Sequence, residues 1–238
     1  MSIVRHSRVD ASLPDSGRLG REHVLSEPVR RDGWGKRVLD VVVAAGGLVV
    51  LSPLFGVCAV LAKCQSPGPA FFLGPRVGRG GRIFRMVKFR TMVMDAPCLG
   101  SSVTAGDDPR VTRIGRLLRA TKLDELPNLL NVLQGTMSLV GPRPELPRYV
   151  ALYDERQRRV LAVRPGITGP TQLAYRDEEE LLRGQKDVEE YYITHVMPRK
   201  LEMDLAYIGA RTLGRDVVHL LRTLIPTLRG PAAPEDAR

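Results

Sequence analysis

Residues 38–62 read VLDVVVAAGGLVVLSPLFGVCAVLA, and how this run is placed decides the fold. Its 25 residues are long enough to cross a bilayer as a helix and exceed the ordinary length of a core helix, although a buried helix of a soluble protein is the alternative. Asp40 is the only charge in it. Ser52-Pro53 interrupts the middle: proline removes a backbone donor and clashes with the preceding turn, so the helix should kink there. Ser52 can satisfy a freed backbone group locally. Both flanks are cationic. Arg30, Arg31, Lys36 and Arg37 precede the run, and Lys63, Arg76, Arg79, Arg82, Arg85, Lys88 and Arg90 follow it, with no acidic residue between 63 and 90. Lys and Arg accumulate on the cytoplasmic side of a membrane, so a straight span would send one flank to the wrong side. A re-entrant helix hairpin, dipping into one leaflet and returning, keeps both flanks where they meet anionic lipid heads. The expectation is a monotopic protein on the cytoplasmic face of the inner membrane.

The composition fits such a place. The chain has 238 residues, 43% of them hydrophobic, with 36 Lys and Arg against 26 Asp and Glu, a net charge of +10. That surplus predicts an anionic partner: nucleic acid, anionic lipid or a phosphorylated substrate. Aromatic residues are only 5%, which weighs against base stacking and so against nucleic acid. Cys58, Cys64 and Cys98 match no zinc spacing and are too few for a disulfide framework, which suits a reducing, cytosol-facing setting. The four histidines are dispersed. Residues 1–33 are polar and charged, without the apolar core of a cleaved signal peptide, and read as a flexible extension. The last ten residues, RGPAAPEDAR (229–238), read as a disordered tail.

Beyond the apolar run, SPGPAFF (66–72) punctuates the chain, and AFFLGPRVGRGGRIFRMVKFRTM (70–92) reads as a β-hairpin turning at Gly80-Gly81. A phosphate loop is the other reading of those glycines, but no Gly-Lys-Ser/Thr and no βαβ context accompany them. In DPRVTRIGRLLRATK (108–122), Val111, Ile114, Leu117 and Leu118 share one helical face, with Arg113, Arg116 and Arg119 on the neighbouring one. That pattern suits a helix lying at a membrane surface or an ordinary amphipathic helix on a core.

TKLDELPNLL (121–130) then sets two adjacent carboxylates, Asp124 and Glu125, behind Arg110, Arg113, Arg116, Arg119 and Lys122. One reading is structural: Thr121 with Asp124 resembles a capping box at a helix start. The other is chemical: one carboxylate attacks phosphorus and the other holds Mg2+, which bridges phosphate oxygens. Pro142-Arg143-Pro144, in GTMSLVGPRPE (135–145), is a rigid element presenting one guanidinium fork suited to phosphate, or a plain surface turn. RPGITGP (164–170) is a further Pro/Gly loop carrying Arg164.

With these stretches in order, the chain resembles the bacterial sugar transferase family of monotopic polyprenyl-phosphate sugar-1-phosphate transferases. The resemblance runs through KRVLDVVVAAGGLVVLSPLF, SPGPAFF, RVGRGGRIFRMVKFRTM, the block DPRVTRIGRLLRATKLDELPNLLNVLQGTMSLVGPRPE and RPGITGPTQL, roughly residues 36 to 173, and more weakly through YYITHVMPRKLEMDLAYI to about 225. It implies transfer of a sugar-1-phosphate from a nucleoside diphosphate sugar, by family expectation a UDP-sugar, to polyprenyl (undecaprenyl) phosphate, initiating polysaccharide or glycoconjugate assembly. It implies Asp124 as the nucleophile that forms a phosphosugar-aspartate, Glu125 as the Mg2+-associated partner, Arg119 as a phosphate ligand, Pro142, Arg143 and Pro144 as a substrate element, Lys88 and Arg90 as further phosphate contacts, and Ser52-Pro53 as the break of the re-entrant anchor. The acidic stretch RDEEELLRGQKDVEE (176–190) lies outside the family's core motifs. The expected fold is α+β and mainly helical: a re-entrant membrane helix over 34–63, then a catalytic domain over 64–228 that opens with a small β-hairpin and carries amphipathic interfacial helices. A homo-oligomer is compatible with this. The rival function is a membrane-tethered basic binding or scaffold protein without catalysis, which leaves the dyad, Arg119 and Arg143 unexplained.

Overall fold

The computed structural model describes residues 33–225, except 66, 97, 98, 100–102 and 107. The expected N-terminal extension, the C-terminal tail and Cys98 therefore lie outside the described residues, apart from Gly33. The architecture is α+β and mainly helical. Helices α1 (Trp34–Val50) and α2 (Ser52–Cys64) lead into strands β1 (Phe71–Val77) and β2 (Ile83–Phe89). Then come α3 (Arg113–Ala120), α4 (Asn128–Gln134), β3 (Ser138–Val140), α5 (Pro147–Val150), β4 (Gly166–Thr168), α6 (Pro170–Ala174), α7 (Glu178–Leu181), α8 (Val188–Tyr191), α9 (Met197–Ala210) and α10 (Leu213–Leu224).

The apolar run is not one rod. The chain breaks at Leu51, and α1 and α2 meet at 66°. Pro53 sits in the first turn of α2, where its missing N–H removes nothing the helix needs, and Ser52 Oγ donates to Val49 O at 2.8 Å. No described helix is long and apolar enough to cross a membrane alone; the bent pair meets that test together. Its apolar residues stay uncovered at the bend, where Val49 and Val50 are 75% and 76% exposed.

The pair is nevertheless rooted in the protein. Ala44 is fully buried against the core formed by Leu129, Val132, Met137, Leu139 and Val140. Asp40, the lone charge of the run, does not face lipid: it is 2% exposed, and its Oδ1 accepts from Ser138 Oγ (3.1 Å) and Leu139 N (3.0 Å). Lys36 and Arg37 correct the reading of that flank as lipid-facing. Arg37 donates to Val132 O (2.6 Å) and Leu133 O (2.9 Å), satisfying carbonyls at the C-terminal end of α4. Lys36 pairs with Asp216 of α10 (2.6 Å) and donates to Val140 O (3.0 Å). The other arm, α2, packs Cys58 against Phe89 and Leu118, with Ile114 and Leu123 beside them.

The hairpin forms as its sequence predicts. β1 and β2 pair antiparallel from Phe71↔Phe89 to Val77↔Ile83, and Gly80 and Gly81 take φ of 68° and 73°, which favours glycine. β3 and β4 form a second, parallel pair. The amphipathic stretch becomes α3, with Leu118 buried, Ile114 half-buried and Leu117 exposed. Its N-cap is Thr112, whose hydroxyl accepts from Gly115 N.

Candidate active site

The dyad lies between helices, not at a helix start. Thr121 is no N-cap: its Oγ1 donates back to Leu117 O (2.8 Å) and Leu118 O (3.2 Å), closing α3. Lys122 then takes a left-handed conformation (φ 58°), uncommon for a residue with a side chain. It turns the chain into a single helical turn over Leu123–Glu125, and α4 begins only at Asn128. Leu123 before the dyad packs into the cluster around Cys58, Phe89 and Leu118; Leu129 after it packs into the main core. Asn131 ties α4 to the hairpin, accepting from Val87 N (3.0 Å) and donating to Arg85 O (2.9 Å).

Glu125 is the electrostatic hub. Its Oε1 takes Lys88 Nζ at 2.7 Å and an Arg143 nitrogen at 2.7 Å, and its Oε2 lies 3.4 Å from the other Arg143 terminal nitrogen. The Pro-Arg-Pro element thus aims its guanidinium at the dyad. Burial pushes the Glu125 carboxyl upward, but the Arg143 and Lys88 charges outweigh it and hold it below the usual carboxylate range. Burial instead raises Asp124, which is 6% exposed, and the Glu125 charge adds to the rise against Lys88, Arg119 and Arg143. Among the described residues none donates a hydrogen bond to the Asp124 carboxylate. Two adjacent carboxylates are therefore driven apart, one held ionised by ion pairs and one buried with unused lone pairs, the split that separates chemical roles.

Arg119 is held from two sides. Its Nε donates to Thr91 Oγ1 (2.9 Å), and its fork pairs with Glu179 (2.9 Å). The approach depends on Gly115: a Cβ there would lie 2.1 Å from Thr91 O, so only glycine lets α3 settle against the chain leaving β2. Of the other upstream cations, Arg110 pairs with Asp108 (2.5 Å), Lys122 donates to Arg176 O (3.1 Å), and Arg113 and Arg116 are exposed.

One expected phosphate contact is corrected. Arg90 is 4% exposed and donates to Pro67 O (2.7 Å) and Ala62 O (3.0 Å), so its guanidinium joins the end of α2 to the hairpin. Sequence reasoning also missed several residues. Thr91 sits in the quoted KFRTM and could have been suspected as a hydroxyl beside two cations. Glu179 belongs to the acidic stretch set aside as peripheral, and only the tertiary fold brings it to Arg119. Asn128, one helical turn past Asp124, is fully buried with neither amide atom hydrogen-bonded among the described residues. Behind Arg143, a water-sized cavity of about 20 Å³ is lined by Glu145, Tyr192, Lys200 and Asp204. Tyr192 donates to Glu145 (3.0 Å), Lys200 pairs with Glu178 (2.8 Å), and burial pushes Asp204 up to about 7.

No group of three or more His, Cys, Asp or Glu side chains suited to a metal occurs among the described residues. The oxygen donors at the site are the carboxylates of Asp124 and Glu125, with Glu125 already paired to Lys88 and Arg143; a Mg2+ ion commonly takes only one or two carboxylates beside substrate phosphates and waters.

The site is thus a carboxylate pair inside a cluster of cations suited to phosphate, on a domain rooted to a bent apolar helix pair. A profile of the bacterial sugar transferase family matches residues 31–230, and the chain belongs to that family. It is 43% identical over 198 residues to the UDP-glucose:undecaprenyl-phosphate glucose-1-phosphate transferase of Caulobacter vibrioides, covering 81% of this chain and 69% of that one. It is 38% identical over 200 residues to the UDP-N-acetylgalactosamine-undecaprenyl-phosphate N-acetylgalactosaminephosphotransferase of Aeromonas hydrophila, covering 82% of this chain but 44% of the relative. With the exopolysaccharide production protein ExoY of Sinorhizobium fredii it shares 35% identity over 207 residues, 81% and 84% of the two chains.

Proposed function

We propose that the chain transfers a sugar-1-phosphate from a UDP-sugar to undecaprenyl phosphate at the cytoplasmic face of the inner membrane, with Asp124 as a covalent carrier. An Asp124 carboxylate oxygen attacks the sugar-bearing phosphorus. The phosphoanhydride bond breaks, and the nucleoside monophosphate leaves with the bonding electrons. A phosphate oxygen of the lipid then attacks the same phosphorus, displaces the aspartate and yields a diphosphate-linked lipid sugar. Arg119, Arg143 and Lys88 offset the charge spread over the phosphoryl oxygens, which is where positioning and electrostatics contribute most. Mg2+, when bound, would be held by Glu125 with donor phosphate oxygens and would supply further charge neutralisation. α1 and α2 dip into one leaflet and return, setting the site at the height of the lipid phosphate; their bend and exposed valines support this.

The observation that carries the reading is Asp124 itself: buried, without a hydrogen bond from the described residues and raised in pKa by burial, beside a carboxylate paired with two cations. With radiolabelled UDP-sugar and no lipid, the full chain should release one equivalent of nucleoside monophosphate and retain label on Asp124. Asp124→Asn should do neither while unfolding at the wild-type temperature. Turnover retained by Asp124→Asn would sink the covalent route.

A further inference from the structure

We propose that Arg76 is a further substrate-binding residue of this site, whose guanidinium takes a phosphate group of the donor or the lipid beside the dyad. The assignment rests on the function proposed above and extends it to a residue on the β-hairpin.

Antiparallel partners share a face, and side chains alternate along a strand. Arg76 pairs with Phe84, Gly74 with Met86 and Phe72 with Lys88, so Arg76 and Lys88 lie on one face of the hairpin. Between them stands Gly74. An Arg76 terminal nitrogen lies 3.5 Å from where a Gly74 Cβ would be, and Phe72 Cε1 lies 2.8 Å from that point. The guanidinium is therefore laid back along β1, over the bare glycine, toward the end of the strand that faces Lys88. Val77 N donates to Glu145 O (2.9 Å), which fixes this end of β1 to the segment that follows Pro142-Arg143-Pro144.

Arg76 also differs from its cationic neighbours in what it holds. Lys88 and Arg143 share Glu125, and Arg119 takes Glu179 and Thr91. Arg76 makes one hydrogen bond, to Pro75 O (2.9 Å), and no described carboxylate forms an ion pair with it. Most of its five N–H donors are unused by the described residues. Its environment is costly for an uncompensated cation: burial lowers its affinity for its proton, Glu145 opposes this, and the Arg143 charge adds to it. A half-buried cation beside a second arginine is relieved by an anion, and a forked guanidinium matches phosphate oxygens in pairs. A guanidinium merely resting on the surface would need neither the glycine gap nor a place on the Lys88 face.

The test uses the full chain in lipid nanodiscs, with Arg76→Gln and Arg76→Lys. Three readouts are taken: nucleoside monophosphate release from UDP-sugar alone, kcat/KM for donor and for undecaprenyl phosphate separately, and thermal unfolding. Arg76→Gln should lower kcat/KM about ten- to hundredfold for one substrate, the size of a lost charge-assisted hydrogen bond, with Arg76→Lys between it and wild type. Loss of monophosphate release assigns the donor's phosphate; intact release with lost lipid transfer assigns the lipid's. Both kcat/KM values within twofold of wild type overturn the assignment, as does a loss that tracks lowered thermal stability in both variants. Asp124→Asn separates the two levels. If it is inactive and Arg76→Gln is unimpaired, only the Arg76 assignment fails; if Asp124→Asn still turns over, the reading of the site fails.

Discussion

Asp40 offers a quantitative test of how the apolar helix pair is joined to the chemistry. Both of its hydrogen bonds end on one atom, Oδ1, which accepts from Ser138 Oγ and Leu139 N at 3.1 and 3.0 Å in a site only 2% exposed. Asp40→Ala removes a charged acceptor and strands a buried N–H and a buried hydroxyl. Hydrogen bonds to charged groups contribute about 1.5–3 kcal/mol each, so the loss of two should be about 3–6 kcal/mol. For a chain of this size each kcal/mol corresponds to about 2–4 °C, which predicts unfolding about 6–24 °C lower in Asp40→Ala. Asp40→Asn keeps an oxygen at the accepting position and should stay within about 1.5 kcal/mol of wild type. The assay is thermal unfolding by circular dichroism at one fixed heating rate, since the midpoint of an irreversible transition depends on that rate. The reasoning also predicts a functional echo, because β3 runs directly into Gly141-Pro142-Arg143: activity of Asp40→Ala should fail at a temperature where Asp40→Asn still works. An Asp40→Ala protein within 2 °C (roughly) of wild type, or an Asn variant as damaged as the Ala variant, would refute the account.

Two further predictions concern the dyad. On the proposed mechanism Asp124 attacks as the carboxylate, and burial raises its pKa, so monophosphate release should climb with pH above the ordinary aspartate range and level off at higher pH. Lys88 is the strongest influence lowering that pKa, so Lys88→Met should move the rising limb to higher pH; a limb that stays put in pH–rate profiles would contradict the electrostatic reading. Gly115→Ala places a methyl 2.1 Å from Thr91 O, a backbone atom that cannot step aside. It should destabilise by about 1–3 kcal/mol and lower turnover by shifting Arg119 from Thr91, read as unfolding temperature and kcat together; an unaltered kcat would show that the contact does not position Arg119.

Much of this was legible in the sequence because it depends on local chemistry. Proline at 53 dictates a break wherever it falls in a helix, and Gly80-Gly81 between β-forming runs dictates a tight turn. The dyad and Arg143 were legible as residues suited to phosphate chemistry, but their ion pair was not: only the fold sets the Arg143 guanidinium on Glu125. What failed did so for tertiary reasons. Thr121 and Asp124 have the spacing of a capping box, but the left-handed Lys122 ends one helix and turns the threonine back onto it. Lys36 and Arg37 read as lipid-facing because a hydropathy pattern cannot show that α4 leaves carbonyls beside Arg37. Arg90 was expected as a phosphate contact only through the family resemblance; β2 ends at Phe89, and Arg90 instead donates to Pro67 O and to the buried Ala62 O in the last turn of α2. Glu179 and Arg119 are 60 residues apart, and no local pattern joins them.

The two arms of the bent pair bear on the dyad differently. α1 shares its core with Leu129, on the far side of Glu125, whereas α2 shares its smaller cluster with Leu123, on the near side of Asp124. The single turn that carries both carboxylates is thus footed on one arm at each end. Close-packed interiors transmit displacement rather than absorb it, so a change in the angle between α1 and α2 must appear as a change at this turn. Lys122, the one left-handed non-glycine residue among those described, precedes this turn and is held in that conformation by its surroundings. Fixing the angle therefore fixes the dyad. On this view the break at Ser52-Pro53 sets the spacing of the supports between which Asp124 and Glu125 are held.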